Sequence, residues 1–215
     1  MTGETVESAR TFLRGAAPGA AAAAGTVDGL RSWMTDHWES IDANPAAFCA
    51  LELALLDALA GEQRVSVERL LGFPDLSGTF RYTAVIGDSG RWVFALLLQR
   101  YLFRGVYDFK LKLSGVLDRD RRKLARLRRR GSSVRVRVDA NNLWSEPEEC
   151  IEHLSRLDYR FTAIEEPLKA NDLDGFARIG AALDTPIVLD ESGLRGEQLG
   201  RLPGPADRWI LNCRV

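Results

Sequence analysis

The chain has 215 residues, 46% of them hydrophobic, and a formal net charge of −1, enough for one globular domain, or one domain and part of another, with a sizeable core. Near-zero charge gives no reason to expect nucleic acid or an anionic membrane as partner, and no apolar run reaches the ~18–20 residues that a membrane span needs. Cys49, Cys150 and Cys213 lie far apart with no CxxC, so they are expected as buried thiols of a reducing compartment. The opening MTGETVESAR is acidic where a secretory signal would be basic, so a cytoplasmic soluble protein is the default.

The first third reads as helix. Residues 4–14 have helical spacing with Thr5 as a cap, and GAAPGAAAAAG (15–25) is either a linker or a loosely packed helix. Alanine favours the helix, whereas Pro18 and the flanking glycines argue for a break. VDGLRSWMTDHWESI is amphipathic, and residues 44–61 form a strongly apolar helix with Pro45 near its start and Gly61 past its end. VSVERLLG adds one short helix before the turn FPDLSG.

From Thr79 the pattern alternates. Strands are expected in TFRYTAVIG, YDFKLKL, VRVRVDA, RFTAIEEP, TPIVLDES and RWILNCRV, and helices in the segments between them. Six strands and five helices in alternation predict a parallel sheet with right-handed crossovers. Such a sheet is either doubly wound or part of a (β/α)8 barrel. In the basic run RDRRKLARLRRR, Leu124 and Leu127 fit one buried stripe and the arginines an ordinary solvated face. His37 and His153 fall on helices without ligand partners and read as surface or boundary residues. Trp144, just past a strand, fits the mouth of a site or plain packing equally well.

Three strands finish in acids. VRVRVDA ends at Asp139, TAIEEP carries Glu165 and Glu166, and PIVLDES carries Asp190 and Glu191. Asp139, Glu165 and Asp190 are separated by 26 and 25 residues, one βα unit each. Each strand thus presents a carboxylate at its C-terminal end, where α/β folds build their sites. One such acid is commonly a helix cap or an ion-pair partner. Three in register would repel one another and be costly to desolvate unless a cation joined them, and all-oxygen ligands suit Mg²⁺ better than zinc.

The preceding strand, FKLKL, places Lys110 and Lys112 two residues apart on one face. Alone, such a pair guards a solvent-facing edge. Beside the acids it points into the same mouth, where one ammonium near another, and near a metal, has its pKa lowered and one lysine becomes a usable base.

These residues resemble the enolase superfamily in its muconate-lactonising branch, which includes o-succinylbenzoate synthases and dipeptide epimerases. The matching pieces are ALELALLDA (50–58), FKLKL as a KxK strand, VDANNLW (138–144), IEEP (164–167) and LDES (189–192), spread over essentially the whole chain. The resemblance implies an α/β fold: a partial TIM-type barrel of about six strands (79–215) preceded by the helical part of an α+β capping domain (1–78). It implies Asp139, Glu165 and Asp190 as ligands of Mg²⁺, with Mn²⁺ possible in its place. Lys112 would be the general base, Lys110 its electrostatic tuner, and Asn141 and Glu191 polar neighbours of metal and substrate. The implied substrate is a small carboxylate, and the reaction a Mg²⁺-dependent removal of its α-proton followed by elimination or cycloisomerisation.

Two departures stand out. On the sixth strand, where the branch usually carries a second lysine, WILNCRV places Arg214, 24 residues after Asp190. Arginine stays protonated, so it serves as a fixed cation and weakens the epimerase alternative, which needs proton exchange on both faces. The chain also ends in that sixth strand, with about 137 residues where a closed barrel takes ~250, and it starts in helices where the family's capping domain starts in strands. Truncation at both ends is therefore expected. Open sheet edges and apolar helix faces would then invite association into a homo-oligomer. An internal piece of an active lyase or isomerase competes with a catalytically silent remnant or assembly subunit. Reading the DNA past codon 215 discriminates them.

Overall fold

The computed structural model describes residues 4–74, 77–131, 133–193 and 196–212. Two compact units divide at Thr79 and Phe80.

The first unit is helical: α1 (Val6–Ala23), α2 (Val27–Asp36), α3 (Trp38–Asp42), α4 (Pro45–Gln63) and α5 (Val67–Leu70). The Thr5 hydroxyl accepts from Ser8 N, and the Ser8 hydroxyl accepts from Thr5 N, so two orphan donors of α1 are satisfied reciprocally. α1 runs straight through Pro18, against the break that proline and its glycine neighbours argue for. The alanine-rich flanks and packing against α2 and α4 outweigh one missing N–H bond. Gly19 lets the Trp33 indole approach so closely that a Cβ there would lie 3.1 Å from its Nε1. α4 also outlasts its expected stop at Gly61, ending instead at Arg64 in a left-handed conformation (φ 55°). Its first turn is capped from afar, because the Glu4 carboxylate accepts from Ala46 N at 2.9 Å and Ala47 N at 3.0 Å.

The second unit alternates strand and helix as the pattern predicts. Its elements are β1 (Thr83–Ile86), α6 (Arg91–Phe103), β2 (Asp108–Lys112), α7 (Leu117–Arg128), β3 (Arg135–Asp139), α8 (Pro147–Arg156), β4 (Ala163–Glu165), α9 (Leu173–Ala182), β5 (Ile187–Leu189), α10 (Gly196–Leu199) and β6 (Trp209–Leu211). All neighbours pair in parallel, in the order β1-β2-β3-β4-β5-β6. Among the described residues the sheet does not close, as in part of a (β/α) barrel.

Alternation decides which side chains reach the site. Phe109 and Leu111 on β2, and Val136 and Val138 on β3, are buried against the helices with Phe94, Leu98, Leu124, Leu127, Cys150 and Leu154. Each large apolar side chain so buried contributes roughly 1.5–3 kcal/mol. The intervening residues Asp108, Lys110, Lys112, Arg135, Arg137 and Asp139 then share the opposite, concave face. The basic helix α7 buries Leu124 and Leu127 as its stripe predicts, but it also buries Lys123, which pairs with Asp88. On α6, Trp92, Leu96 and Phe103 stay largely exposed.

Candidate active site at the strand ends

Register brings the predicted residues into rows. Lys112 pairs laterally with Asp139, and Asp139 with Glu165, so a lysine and two acids from three successive strands form one row at their C-terminal ends. The next partner in that row is Val188. Asp190, two residues further along, stands one step higher on the same face. Lys110 lies one step lower, beside Val85 and Arg137.

The lower lysine reaches up. Lys110 Nζ is 2.9 Å from Asp139 Oδ2 and 2.6 Å from Glu165 Oε1. Asp139 and Glu165 are 5% and 1% exposed, and two carboxylates so buried would repel strongly without a cation between them. Burial alone would lower the Lys110 pKa, but hydrogen bonds to both acids and their charges outweigh it and hold the pKa above the ordinary lysine value. Lys110, the lysine expected to tune its neighbour, is thus held in its charged form by the two acids it contacts. Lys112 is partly exposed, with Nζ 3.5 Å from Asn141 Oδ1, at the outer limit of a hydrogen bond.

Asn141 follows β3 in a left-handed conformation (φ 47°), and its N–H donates to Asp139 Oδ1 at 3.1 Å. This local turn fixes the ring of contacts around Asp139, as asparagine side chains and short acids commonly do beyond a strand. Glu191 lies in the short 3₁₀ turn Glu191–Gly193 that follows Asp190. Arg214, the predicted cation of the sixth strand, lies outside the described residues, as does Cys213.

Among the described residues no group of three or more His, Cys, Asp or Glu side chains is arranged to hold a metal ion. The Lys110 ammonium stands where Asp139 and Glu165 converge. Yet one oxygen, Glu165 Oε2, is buried without any hydrogen-bond partner. A buried carboxylate oxygen left this way carries an uncompensated desolvation cost, and a hard cation is the kind of group that would relieve it.

Two further buried carboxylates, Glu166 and Asp120, were given no role by the sequence. Glu166, 1% exposed and also left-handed (φ 39°), accepts from Asp190 N at 2.7 Å, Ser192 N at 2.8 Å and the Ser192 hydroxyl at 2.9 Å. Burial raises its pKa, while those three hydrogen bonds oppose the shift and the Glu191 charge adds to it. Asp120, fully buried on α7, accepts from Ser114 N at 3.0 Å and the Ser114 hydroxyl at 2.8 Å, two residues past Lys112. His153, expected as a surface or boundary residue, lies partly buried at such a boundary, against this acid. Its Nε2 lies 3.4 Å from Asp120 Oδ2 and its ring packs on Trp144 at 5.2 Å. Trp144, 8% exposed, belongs to the core. The doubled acid of IEEP was the available signal for Glu166, since only one of two consecutive residues can face the mouth. Nothing in the sequence joins Ser114, Asp120 and His153.

The chain is similar in sequence and fold to known proteins. The chain is 26% identical over 196 residues to L-Ala-D/L-Glu epimerase of Bacillus subtilis, covering 88% of this chain and 52% of that protein. It is 33% identical over 162 residues to muconate cycloisomerase 1 of Acinetobacter baylyi, covering 71% and 42%. Its fold matches the crystal structure of a muconate cycloisomerase from Azorhizobium caulinodans with a TM-score of 0.70 at 29% identity, over 79% of this chain and 48% of that one. The chain thus spans about half the length of the curated relatives it matches. The profile described as "Enolase C-terminal domain-like" matches residues 93–202, more than half of the chain and all of β2 to β5. The chain therefore belongs to the enolase C-terminal domain-like family.

Proposed function

We propose that this chain carries the proton-abstracting site of a Mg²⁺-dependent lyase or isomerase acting on a small carboxylate. The observation that carries the reading is the contact set around Glu165. One oxygen is paired with Lys110 at 2.6 Å, the other is buried and unpartnered, and Asp139 meets the same ammonium. Asp139, Glu165 and Asp190 would hold the cation, Mg²⁺ or Mn²⁺, with Asn141 and Glu191 beside it. When bound, the cation supplies positive charge against the second negative charge that develops on the substrate carboxylate as its α-proton leaves.

Lys112 would take the α-proton at Nζ, leaving the electron pair delocalised into the substrate carboxylate. Its partial exposure at the mouth leaves it open to substrate, whereas Lys110 is committed to its two acids. Lys110, held protonated, keeps a fixed positive charge two residues from the base and biases the site toward anions. Arg214 would add a second fixed cation. Expulsion of a β-leaving group or ring opening completes a lyase or cycloisomerase cycle without a second acid–base residue. A dipeptide or amino-acid epimerase is the second reading, favoured by the Bacillus subtilis relative. Residues 1–78 would be the helical part of a capping domain.

The test is exchange of substrate α-protons in D₂O, followed by ¹H NMR with MgCl₂ and a panel of dipeptides and β-substituted carboxylates. Wild-type chain is expected to exchange the α-proton of at least one class, and Lys112→Ala to lose at least about a hundredfold in rate, the range for a positioned general base. Exchange persisting in Lys112→Ala would remove the base assignment.

A further inference from the structure

Glu166 connects the ends of three neighbouring strands. Its backbone N–H donates to Val188 O on β5 at 3.2 Å, and its carbonyl accepts from Asn142 N, past the end of β3, at 2.9 Å. Its carboxylate reaches the β5 end and takes the Asp190 and Ser192 N–H groups on Oε1, with the Ser192 hydroxyl on Oε2. The same hydroxyl oxygen accepts from Asn171 N at 2.8 Å, tying in the loop before α9. One residue therefore links the ends of β3, β4 and β5, the strands that carry Asp139, Glu165 and Asp190.

Such an arrangement is costly in isolation. A non-glycine residue at φ 39° is strained, and a carboxylate this deeply buried is expensive to desolvate. Both are tolerated because three donors converge on the two oxygens. What they hold in place is the backbone of Asp190 itself: without them the Asp190 and Ser192 N–H groups would be buried and unpaired, and the turn carrying Asp190 would be free to rearrange.

We propose that Glu166 is the positioning residue for Asp190, fixing by hydrogen bonds to the Asp190–Ser192 turn where the third metal-binding carboxylate stands. The inference rests on Asp190 serving as a metal ligand. It assigns Glu166 no contact with metal or substrate. Partners of this kind hold ligands in orientation, and losing one typically weakens metal binding by about 10–100-fold.

Reach and charge separate in two conservative variants. Glu166→Gln loses the charge but keeps an oxygen at the same distance for both N–H groups. Glu166→Asp keeps the charge but is one methylene too short to serve them. Mn²⁺ binding is followed by the electron paramagnetic resonance signal of free Mn²⁺, with thermal unfolding run alongside to select folded variants. The expected result is a wild-type chain that binds, a Glu166→Gln variant within about threefold of it, and a Glu166→Asp variant at least about tenfold weaker. The opposite order, or equal affinity in all three, overturns the positioning role. If wild-type chain binds no Mn²⁺ while folded, the metal-site reading itself fails and takes this inference with it. If wild type binds and only the order of variants is wrong, the reading stands and the inference falls.

Discussion

Two neighbouring parts of the strand-end row stabilise buried carboxylates in opposite ways. Around β2, β3 and β4, Asp139 and Glu165 are held by a single ammonium at the end of a flexible side chain. Around β4 and β5, Glu166 is held mainly by peptide N–H groups of a turn. A lysine head group can swing aside and be exchanged for another cation at little cost in structure, whereas peptide donors can be withdrawn only by rearranging the backbone. The difference separates residues fit to handle a ligand from residues fit to hold the frame. Within one row of acids, the kind of donor rather than the kind of acid marks the reactive side.

The comparison can be broken at several points. Lys110→Met leaves Asp139 and Glu165 buried face to face, and should destabilise the metal-free chain by about 3 kcal/mol, as loss of one partner of a buried pair does. Urea unfolding with and without MgCl₂ checks it: the metal should recover most of the loss if an ammonium and a divalent cation are interchangeable there. No recovery would mean that Lys110 is purely structural. Asp120→Ala removes the acceptor for Ser114 N and the Ser114 hydroxyl and should cost about 2 kcal/mol, the desolvation penalty of buried donors left unpaired. Here MgCl₂ should recover nothing. Glu4 offers the same peptide-donor arrangement near the surface, on Ala46 N and Ala47 N. Glu4→Ala should cost only about 1 kcal/mol, as a lost helix cap does, because water can replace the carboxylate. A larger loss for Glu4→Ala than for Asp120→Ala would refute burial as the factor that separates them.

Much of the second unit was legible in the sequence, for a physical reason. Alternation at period two in FKLKL and VRVRVDA says which residues share the concave face, and the near-constant interval from Asp139 to Glu165 to Asp190 says that they end successive strands. The six-stranded parallel order and the meeting of Lys110 with Asp139 and Glu165 follow from those two regularities. Local pattern failed where tertiary contact decides. Pro18 should interrupt α1, but alanine-rich flanks and packing carry the helix across it. Gly61 should end α4, but the left-handed turn is made by Arg64. The partners of His153 could not be read locally, because Asp120 and Trp144, which pack against it, lie on other elements. Glu166 was visible only as the second letter of a doubled acid, and its role depends on a turn one βα unit later.

The most direct test is isothermal calorimetry of Mg²⁺ binding to the purified chain, with Asp190→Ala as its partner. The account predicts measurable binding to the wild-type chain and its loss in the variant, with both proteins folded by circular dichroism. A folded wild-type chain that binds no Mg²⁺, or an Asp190→Ala variant that binds it as tightly, would contradict the assignment of Asp139, Glu165 and Asp190 as one metal site.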